Sequence, residues 1–116
     1  MKKVYLCVPI KFKDDERIAY EIETARNYYL SQRPADKDNV EFVTNFMSDG
    51  QSRNYSLSDM DFRNAAIDEL SEAVARLKDC NHVVMHPDYE ADDVCKTIEF
   101  ICKSYQFKTA IMYIGK

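Results

Sequence analysis

Two acidic residues in the last third of the chain are placed as catalytic carboxylates often are. Asp93 stands at the expected start of a helix, and Glu99 follows six residues later between Ile98 and Phe100. If this face of the helix packs toward the first strand, Glu99 is partly removed from water, and a desolvated carboxylate can act as an acid, a base or a nucleophile. The alternative is structural, because Asp93 also suits a helix N-cap and charged helix residues are usually solvated. The pattern leaves both interpretations open.

Histidine and cysteine, the usual ligands of zinc and related metals, do not occur at the spacing of a metal site. No two cysteines form a Cys-x-x-Cys pair, and His82 and His86 flank apolar residues. We therefore expect no metal and no bound cofactor. The chain also opens without a signal-peptide pattern, which together with the cysteine usage predicts a reduced, cytoplasmic protein. The four cysteines are Cys7, Cys80, Cys95 and Cys102.

The composition describes a small acidic domain. The chain has 116 residues, 46% of them hydrophobic and 31% charged, with a net charge of -4. This length predicts one domain over 1–116, and the charge argues against a nucleic-acid partner. No apolar run approaches the ~20 residues that cross a membrane, so no membrane partner is expected. Only two glycines occur, Gly50 and Gly115, which excludes Gly-rich phosphate-binding loops.

Hydrophobic periodicity alternates between strands and helices along the chain. The run 3–10 is apolar and rich in β-formers, which is typical of a strand buried on both faces. Further strands are expected over 40–46, 81–86 and 109–114, and helices from about 14, 58 and 93. This order predicts an α/β fold with a four-stranded, mainly parallel sheet and helices on both faces. The expected apolar helix faces are Ile18, Ile22, Ala25 and Tyr29, then Ile67, Leu70, Val74 and Leu77, then Val94, Ile98, Ile101, Cys102 and Tyr105.

Ligands of parallel α/β sheets bind at the carboxyl ends of the strands. Here those ends are 9–13, 45–49 and 87–93, and the last is strongly acidic. Lys11 and Lys13 suit a phosphate group, although two solvated lysines explain them equally well. The polar segment 47–58 is expected to be a long surface loop, a kind of segment that often carries function. The candidate substrate-binding residues at these ends are Pro9, Lys11, Lys13, Asn45, Pro87 and Asp92.

Three stretches of the chain carry a family pattern. They are Lys3–Pro9, Thr44–Phe46, and Leu77–Pro87 taken together with Asp93–Glu99. They resemble the first strand, the end of the second strand, and the third strand with its acidic loop and helix start in the nucleoside 2-deoxyribosyltransferases and deoxynucleotide N-glycosidases. The resemblance implies a small flavodoxin-like three-layer sandwich, usually a homodimer. It also implies a small-molecule nucleoside or nucleotide as the substrate.

The same resemblance implies a mechanism. Glu99 corresponds to the family's nucleophile, which attacks the anomeric carbon of a 2′-deoxynucleoside or its 5′-monophosphate and forms a deoxyribosyl ester. Tyr5 corresponds to a strand tyrosine whose hydroxyl orients that glutamate. Asp93 corresponds to an aspartate that assists at the nucleobase, and Asn45 falls where the family lines its pocket. The expected function is therefore cleavage or transfer of an N-glycosidic bond.

Other residues depart from the family pattern and motivate two alternatives. Glycines of the family are replaced at Val8, Cys95 and Thr97, and acids are replaced at Asn81 and Ala73. Bulkier side chains at positions of close approach narrow a sugar pocket. The first alternative is a non-catalytic protein of the same fold that senses or sequesters a nucleotide. The second is a protein-interaction module, suggested by the aromatic residues Tyr28, Tyr29 and Tyr55.

Overall fold

The order of strands and helices expected from the sequence is confirmed. A computed structural model describes residues 1–10, 13–45, 60–105 and 109–115, without side chains at 60–63, 65 and 66. Short 3-10 turns lie at Pro34–Asp36 and Tyr89–Ala91. The main elements are β1 (Lys2–Cys7), α1 (Asp15–Gln32), β2 (Val40–Thr44), α2 (Met60–Ala75), β3 (His82–Met85), α3 (Asp93–Ser104) and β4 (Ala110–Tyr113).

The four strands form one parallel sheet in the order β2-β1-β3-β4. β1 is central, and its Val4 pairs with Phe42 of β2 and with His82 of β3. On the other side of β3, Val84 pairs with Met112 of β4. This is a small flavodoxin-like α/β fold. The chain leaves β1 and β3 in opposite directions along the sheet, so the switch point that commonly holds a ligand lies between these two strands.

Both faces of the sheet are covered, which explains why β1 is apolar at nearly every position. Successive residues of a strand point to opposite faces. On one face, α1 packs against Leu6 and Val84. On the other face, residues of α2 and α3 pack against Cys7 and Met85. A strand buried in this way needs a continuous apolar run rather than an alternating one.

The prediction that two residues lie in the core is wrong. Ile67 of α2 is 55% exposed, and Tyr105, which follows α3, is 68% exposed. α2 instead approaches the sheet through Ala73, whose small side chain lets the Tyr5 hydroxyl reach the helix main chain. The buried residues of α3 are Cys95, Ile98 and Cys102.

Aspartates fix the starts of two helices. The Asp14 carboxylate accepts a hydrogen bond of 2.8 Å from the Arg17 N–H at the start of α1. Asp92 caps α3 in the same way, accepting from the Cys95 N–H at 3.0 Å. Such caps supply partners for main-chain donors that a helix start leaves unpaired. None of the helices in the described ranges is both long and apolar enough to span a bilayer.

Candidate functional site

Glu99, the expected nucleophile, lies on α3 against the carboxyl end of β4. Its carboxylate accepts a hydrogen bond of 2.6 Å from the hydroxyl of Tyr113, the last residue of β4. The Lys103 ammonium lies 3.5 Å from the same carboxylate oxygen. The ring of Tyr89, from the loop after β3, lies 5.4 Å from the Tyr113 ring. We call Glu99, Tyr113, Lys103 and Tyr89 the Glu99 cluster.

The surroundings of Glu99 favour an ionised carboxylate. Burial raises its pKa, but the hydrogen bond from Tyr113 and the charge of Lys103 outweigh burial and hold the pKa below its ordinary value. Burial and the neighbouring carboxylate raise the pKa of Tyr113 to about 12, so its hydroxyl stays protonated and donates. The Glu99 side chain keeps 18% of its surface exposed. An ionised, oriented and reachable carboxylate can act as a nucleophile or a base.

Tyr5, the tyrosine expected beside Glu99, has another partner. It is fully buried, and its hydroxyl donates at 2.7 Å to the Ala73 carbonyl near the end of α2. The Leu77 N–H, which a continuing helix would direct to that carbonyl, donates to Val74 instead. Tyr5 therefore serves a main-chain group that the helix end leaves available, and burial raises its pKa.

The two aspartates at the start of α3 occupy different environments. Asp92 is 3% exposed and its carboxylate is the N-cap described above. Asp93 is exposed and is the first residue of the helix. On an ideal helix, six residues separate Asp93 from Glu99 by about 9 Å along the axis and about 120° around it. Asp92 is thus a structural residue, and α3 presents Asp93 and Glu99 on different sides.

Asn45 fastens the chain where it leaves β1. Its buried side chain accepts from the Val8 N–H at 2.9 Å and donates to the Val8 carbonyl at 2.8 Å. These two hydrogen bonds continue the pairing between β1 and β2 past the last paired residues, Leu6 and Thr44. Pro9 follows and is buried, whereas Pro87 is exposed after β3. The Asn45 amide therefore positions the first loop from within the protein.

The sequence analysis missed a second group of ionisable residues, on the α1 face of the sheet. Glu21 is 3% exposed, and its carboxylate accepts from the Lys13 ammonium at 2.7 Å and from the Arg17 Nε at 3.0 Å. His86, directly after β3, brings its Nε2 to 3.4 Å from Glu21. We call Glu21, Lys13, Arg17 and His86 the Glu21 cluster. It lies at the switch point between β1 and β3.

The sequence did contain a signal for this cluster. Glu21 lies three residues after Ile18 and four before Ala25, inside the predicted apolar face of α1. A charged residue at such a position needs partners, because an unpaired buried charge is costly. Lys13, expected to meet a phosphate, is one of those partners. Lys11 lies outside the described residues.

Opposing effects set the protonation of the Glu21 cluster. Burial raises the pKa of Glu21, but hydrogen bonds from Lys13 and Arg17 and the nearby His86 outweigh it, so the pKa lies below its ordinary value. Burial lowers the pKa of His86 although Glu21 is close. His86 is therefore neutral near pH 7, and its Nδ1 accepts a hydrogen bond of 3.0 Å from the Asp88 N–H.

The opposite edge of the sheet carries a cavity of about 470 Å³. Its lining comes from the end of α2 and the turn after it, the approaches to β3 and β4, and α3, and it includes Leu77, Cys80, Thr109 and Ile101. The cavity lies at the amino ends of the strands, so it is distinct from the two clusters. Its lining is largely apolar, and Lys78 and Asp79 are its charged members.

The cysteines are free thiols and buried. Burial raises the pKa of Cys80 and of Cys102 to about 11, so both remain protonated at neutral pH. Such thiols behave as small apolar side chains. Within the described part of the chain, no group of three His, Cys, Asp or Glu residues is arranged to hold a metal ion.

The residues expected of an interaction module are divided. Tyr29 is buried and Tyr28 is partly buried, whereas Tyr55 and the predicted loop 47–58 lie outside the described residues. Among the large apolar side chains that are exposed, Phe100 and Tyr105 lie on or next to α3.

The comparisons with known proteins leave function to be argued from this geometry. No family model, no curated protein and no solved structure matches the chain.

Proposed function

We propose that this protein cleaves the N-glycosidic bond of a 2′-deoxynucleoside or its 5′-monophosphate, with Glu99 as the nucleophile. The observation that carries the proposal is the Glu99 carboxylate, which the Tyr113 hydroxyl holds at 2.6 Å beside the carboxyl end of the sheet. A tyrosine at this distance orients the carboxylate without cancelling its charge. The resemblance expects such a tyrosine on β1, and Tyr113 on β4 takes that role here.

The reaction proceeds in two displacements. A Glu99 oxygen attacks the anomeric carbon, the N-glycosidic bond breaks, and the nucleobase leaves with the bonding electron pair and takes up a proton. The product is a deoxyribosyl ester on Glu99. Water then releases the sugar, or a second nucleobase accepts it and regenerates the carboxylate. Asp93 lies on a different side of α3 from Glu99, so in this scheme the leaving nucleobase takes its proton from water rather than from this aspartate.

Incubation with each deoxynucleoside and each 5′-monophosphate, followed by chromatography, tests the proposal. We expect free nucleobase from at least one substrate and a loss of at least about a thousandfold in Glu99→Gln. Glu23→Gln is the matched control, because Glu23 is exposed and pairs with Arg26 on α1. Mass spectrometry of quenched reactions should show a deoxyribosyl group on the peptide containing Glu99. Cleavage that persists in Glu99→Gln would exclude this residue as the nucleophile.

A second candidate is a non-catalytic nucleotide binder of the same fold. It is favoured by Tyr5, whose hydroxyl is bound to the Ala73 carbonyl and not to the proposed nucleophile. Thermal unfolding with the same panel separates the candidates. A ligand that raises Tm equally in the wild type and in Glu99→Gln, with no nucleobase released, would support binding alone.

Two further expectations belong to the proposal. The resemblance implies a homodimer, and the exposed Phe100 and Tyr105 supply apolar surface for one. Light scattering during gel filtration would measure the mass in solution. The free thiols support a reducing compartment, the cytoplasm.

A further inference from the structure

His86 joins three segments at the switch point of the sheet. Its Nε2 lies 3.4 Å from Glu21 on α1, and its Nδ1 accepts from the Asp88 N–H at 3.0 Å. Its own main-chain N–H donates to the Cys7 carbonyl of β1 at 3.2 Å. Its carbonyl accepts from the Tyr89 N–H at 3.1 Å. Only 13% of the side chain is exposed.

The contact with Asp88 defines the protonation state of the imidazole. A ring nitrogen accepts a hydrogen bond only when it carries no proton. Nδ1 is therefore bare, and the single ring proton lies on Nε2, where it faces the Glu21 carboxylate. One of the two hydrogen bonds between His86 and the loop after β3, the bond from the Asp88 N–H, therefore exists only while the ring is neutral.

We infer that neutral His86 is a positioning residue for the Glu99 cluster, and that protonation at Nδ1 releases the loop 88–92 that it holds. The catalytic part of this inference rests on the proposed function. The structural part does not, because it concerns the Asp88 N–H and the loop alone.

The loop reaches Glu99 by two routes. Tyr89 packs its ring 5.4 Å from Tyr113, and it also hydrogen-bonds Glu99, which helps to lower the pKa of that carboxyl. At the other end of the loop, Asp92 caps α3, the helix that carries Glu99. A loop displaced at Asp88 therefore disturbs both the partner of Glu99 and the start of its helix.

Protonation of His86 opposes the loop contact directly. A proton from solvent on Nδ1 places two donors, the new N–H and the Asp88 N–H, against each other at 3.0 Å. Among the described residues, the charged groups facing His86 are Glu21 from α1, Lys13 from the segment before α1, and Asp88 from its own loop. Burial and Lys13 oppose the charged ring, whereas Glu21 and Asp88 favour it, and the net effect lowers the pKa of His86. Release of the loop is therefore expected on the acid side of pH 6.5.

Two variants separate the ring nitrogens. An asparagine places its amide oxygen close to the position of Nδ1, so His86→Asn keeps an acceptor for the Asp88 N–H but cannot titrate. A glutamine reaches further, toward the position of Nε2, so His86→Gln keeps a donor near Glu21 and loses the acceptor near Asp88. Both variants remove the titratable imidazole, so each is the control for the other.

Amide exchange measured by NMR on the whole chain tests the structural part. In the wild type we expect the Asp88 amide to exchange about fivefold to tenfold faster, relative to an unstructured amide at the same pH, once His86 is protonated. His86→Asn should keep the amide protected at every pH, and His86→Gln should leave it unprotected at every pH. Protection that ignores the titration of His86, or that survives in His86→Gln, would overturn the inference.

The pH profile of nucleobase release tests the catalytic part. We expect the acid limb of kcat to vanish in His86→Asn while the rate near pH 7.5 stays within about twofold of the wild type. His86→Gln should have a reduced kcat at every pH. If no substrate is cleaved while the exchange results hold, the proposed function fails and the loop switch stands. If cleavage occurs with the same acid limb in all three proteins, His86 does not position the site.

Discussion

The two clusters hold a glutamate at the carboxyl ends of the strands, and they differ in how the carboxylate is buried and partnered. Glu21 is 3% exposed and meets three basic side chains, with contacts of 2.7, 3.0 and 3.4 Å. Glu99 keeps 18% of its side chain exposed, and its shortest contact is the neutral Tyr113 hydroxyl at 2.6 Å. Both carboxyl groups have a pKa below the ordinary value. Both carboxyl groups are therefore ionised near pH 7, although their burial and their partners differ.

The difference shows how a carboxylate can be made structural or reactive by its partners. The cations Lys13 and Arg17 pair the charge of Glu21, and neutral His86 adds a contact at 3.4 Å, so the cluster ties α1 to the segment before it and to the end of β3. Glu99 is oriented by the Tyr113 hydroxyl and has the more distant Lys103 at 3.5 Å, so in the proposed reaction more of its negative charge remains for an incoming electrophile. We therefore expect substitutions at Glu21 to act mainly on stability and substitutions at Glu99 to act mainly on chemistry.

The largest expected effect on stability comes from Glu21→Ala. Removing a buried carboxylate leaves Lys13 and His86 unpaired, and breaking a buried ion pair costs about 3 kcal/mol. Glu99→Ala should cost less than about 1 kcal/mol, because Lys103 and Tyr113 can turn to water. Urea denaturation near pH 7 measures both. Glu23→Ala, which removes an exposed ion pair of 3.1 Å, is the control and should change the free energy of unfolding by less than about 0.5 kcal/mol.

Equal losses in Glu21→Ala and Glu99→Ala would contradict the comparison. They would mean that the two carboxylates contribute alike to folding, and that the buried contacts of Glu21 add nothing beyond a surface ion pair. A loss of unfolding free energy in Glu99→Ala alone would mean that the Glu99 cluster, and not the Glu21 cluster, has the structural role.

The fold followed from the sequence because periodicity reports burial directly. The run 3–10 is apolar on both faces because helices cover both sides of β1. The failures lie where one residue's size decides the geometry. Ile67 was expected in the core, but α2 turns Ala73 toward the sheet, and the short side chain admits the Tyr5 hydroxyl. Periodicity places a stripe of apolar residues and does not reveal which member touches the sheet.

The candidate site followed from the sequence only in part. A family pattern assigns a role to one position, such as Glu99, but hydrogen-bond partners across elements depend on side-chain direction. Tyr5 and Tyr113 both end near the helices that cover the same face, and only the structure shows which hydroxyl meets Glu99. Glu21 was overlooked because the sequence places it in an apolar face, and its partners Lys13 and His86 come from other segments.

A smaller effect separates the two tyrosines. Tyr5→Phe leaves the buried Ala73 carbonyl without its partner, which should lower the free energy of unfolding by about 1.5 kcal/mol. The pKa of Glu99 should not move in this variant. Tyr113→Phe should cost less stability, since Tyr113 is only partly buried, and should raise the pKa of Glu99 because a hydrogen bond to its charged form is lost. Urea denaturation and NMR titration of the Glu99 carboxyl carbon measure the two quantities. A larger pKa change in Tyr5→Phe than in Tyr113→Phe would return Tyr5 to the role that the resemblance implies.

The smallest effect concerns the pH range in which stability changes. His82, at the amino end of β3, is 8% exposed, and its Nδ1 has no hydrogen-bond partner among the described residues. Burial, together with the charges of Arg33 and Lys2, lowers its pKa below the ordinary 6.5. As the pH falls through 6.5 the unfolded chain binds a proton first, so the contribution of neutral His82 is complete above that pH and is lost below it. The contribution of Glu21 is complete above 4.5, its ordinary pKa, and is lost only as the pH falls below that value.

Because the contributions of His82 and Glu21 are lost in different pH ranges, one variant of each residue tests them separately. His82→Leu should flatten the fall in the free energy of unfolding between about pH 7.5 and 5, while leaving the value near pH 7.5 within about 1 kcal/mol of the wild type. Part of the slope remains, because the pKa of His86 is also lowered, and His86→Asn should remove that part. Glu21→Gln should instead flatten the fall below pH 4.5. If His82→Leu leaves the slope above pH 5 unchanged, the buried imidazole is already paired or hydrated. The loss of stability between about pH 7.5 and 5 would then come from His86 of the Glu21 cluster.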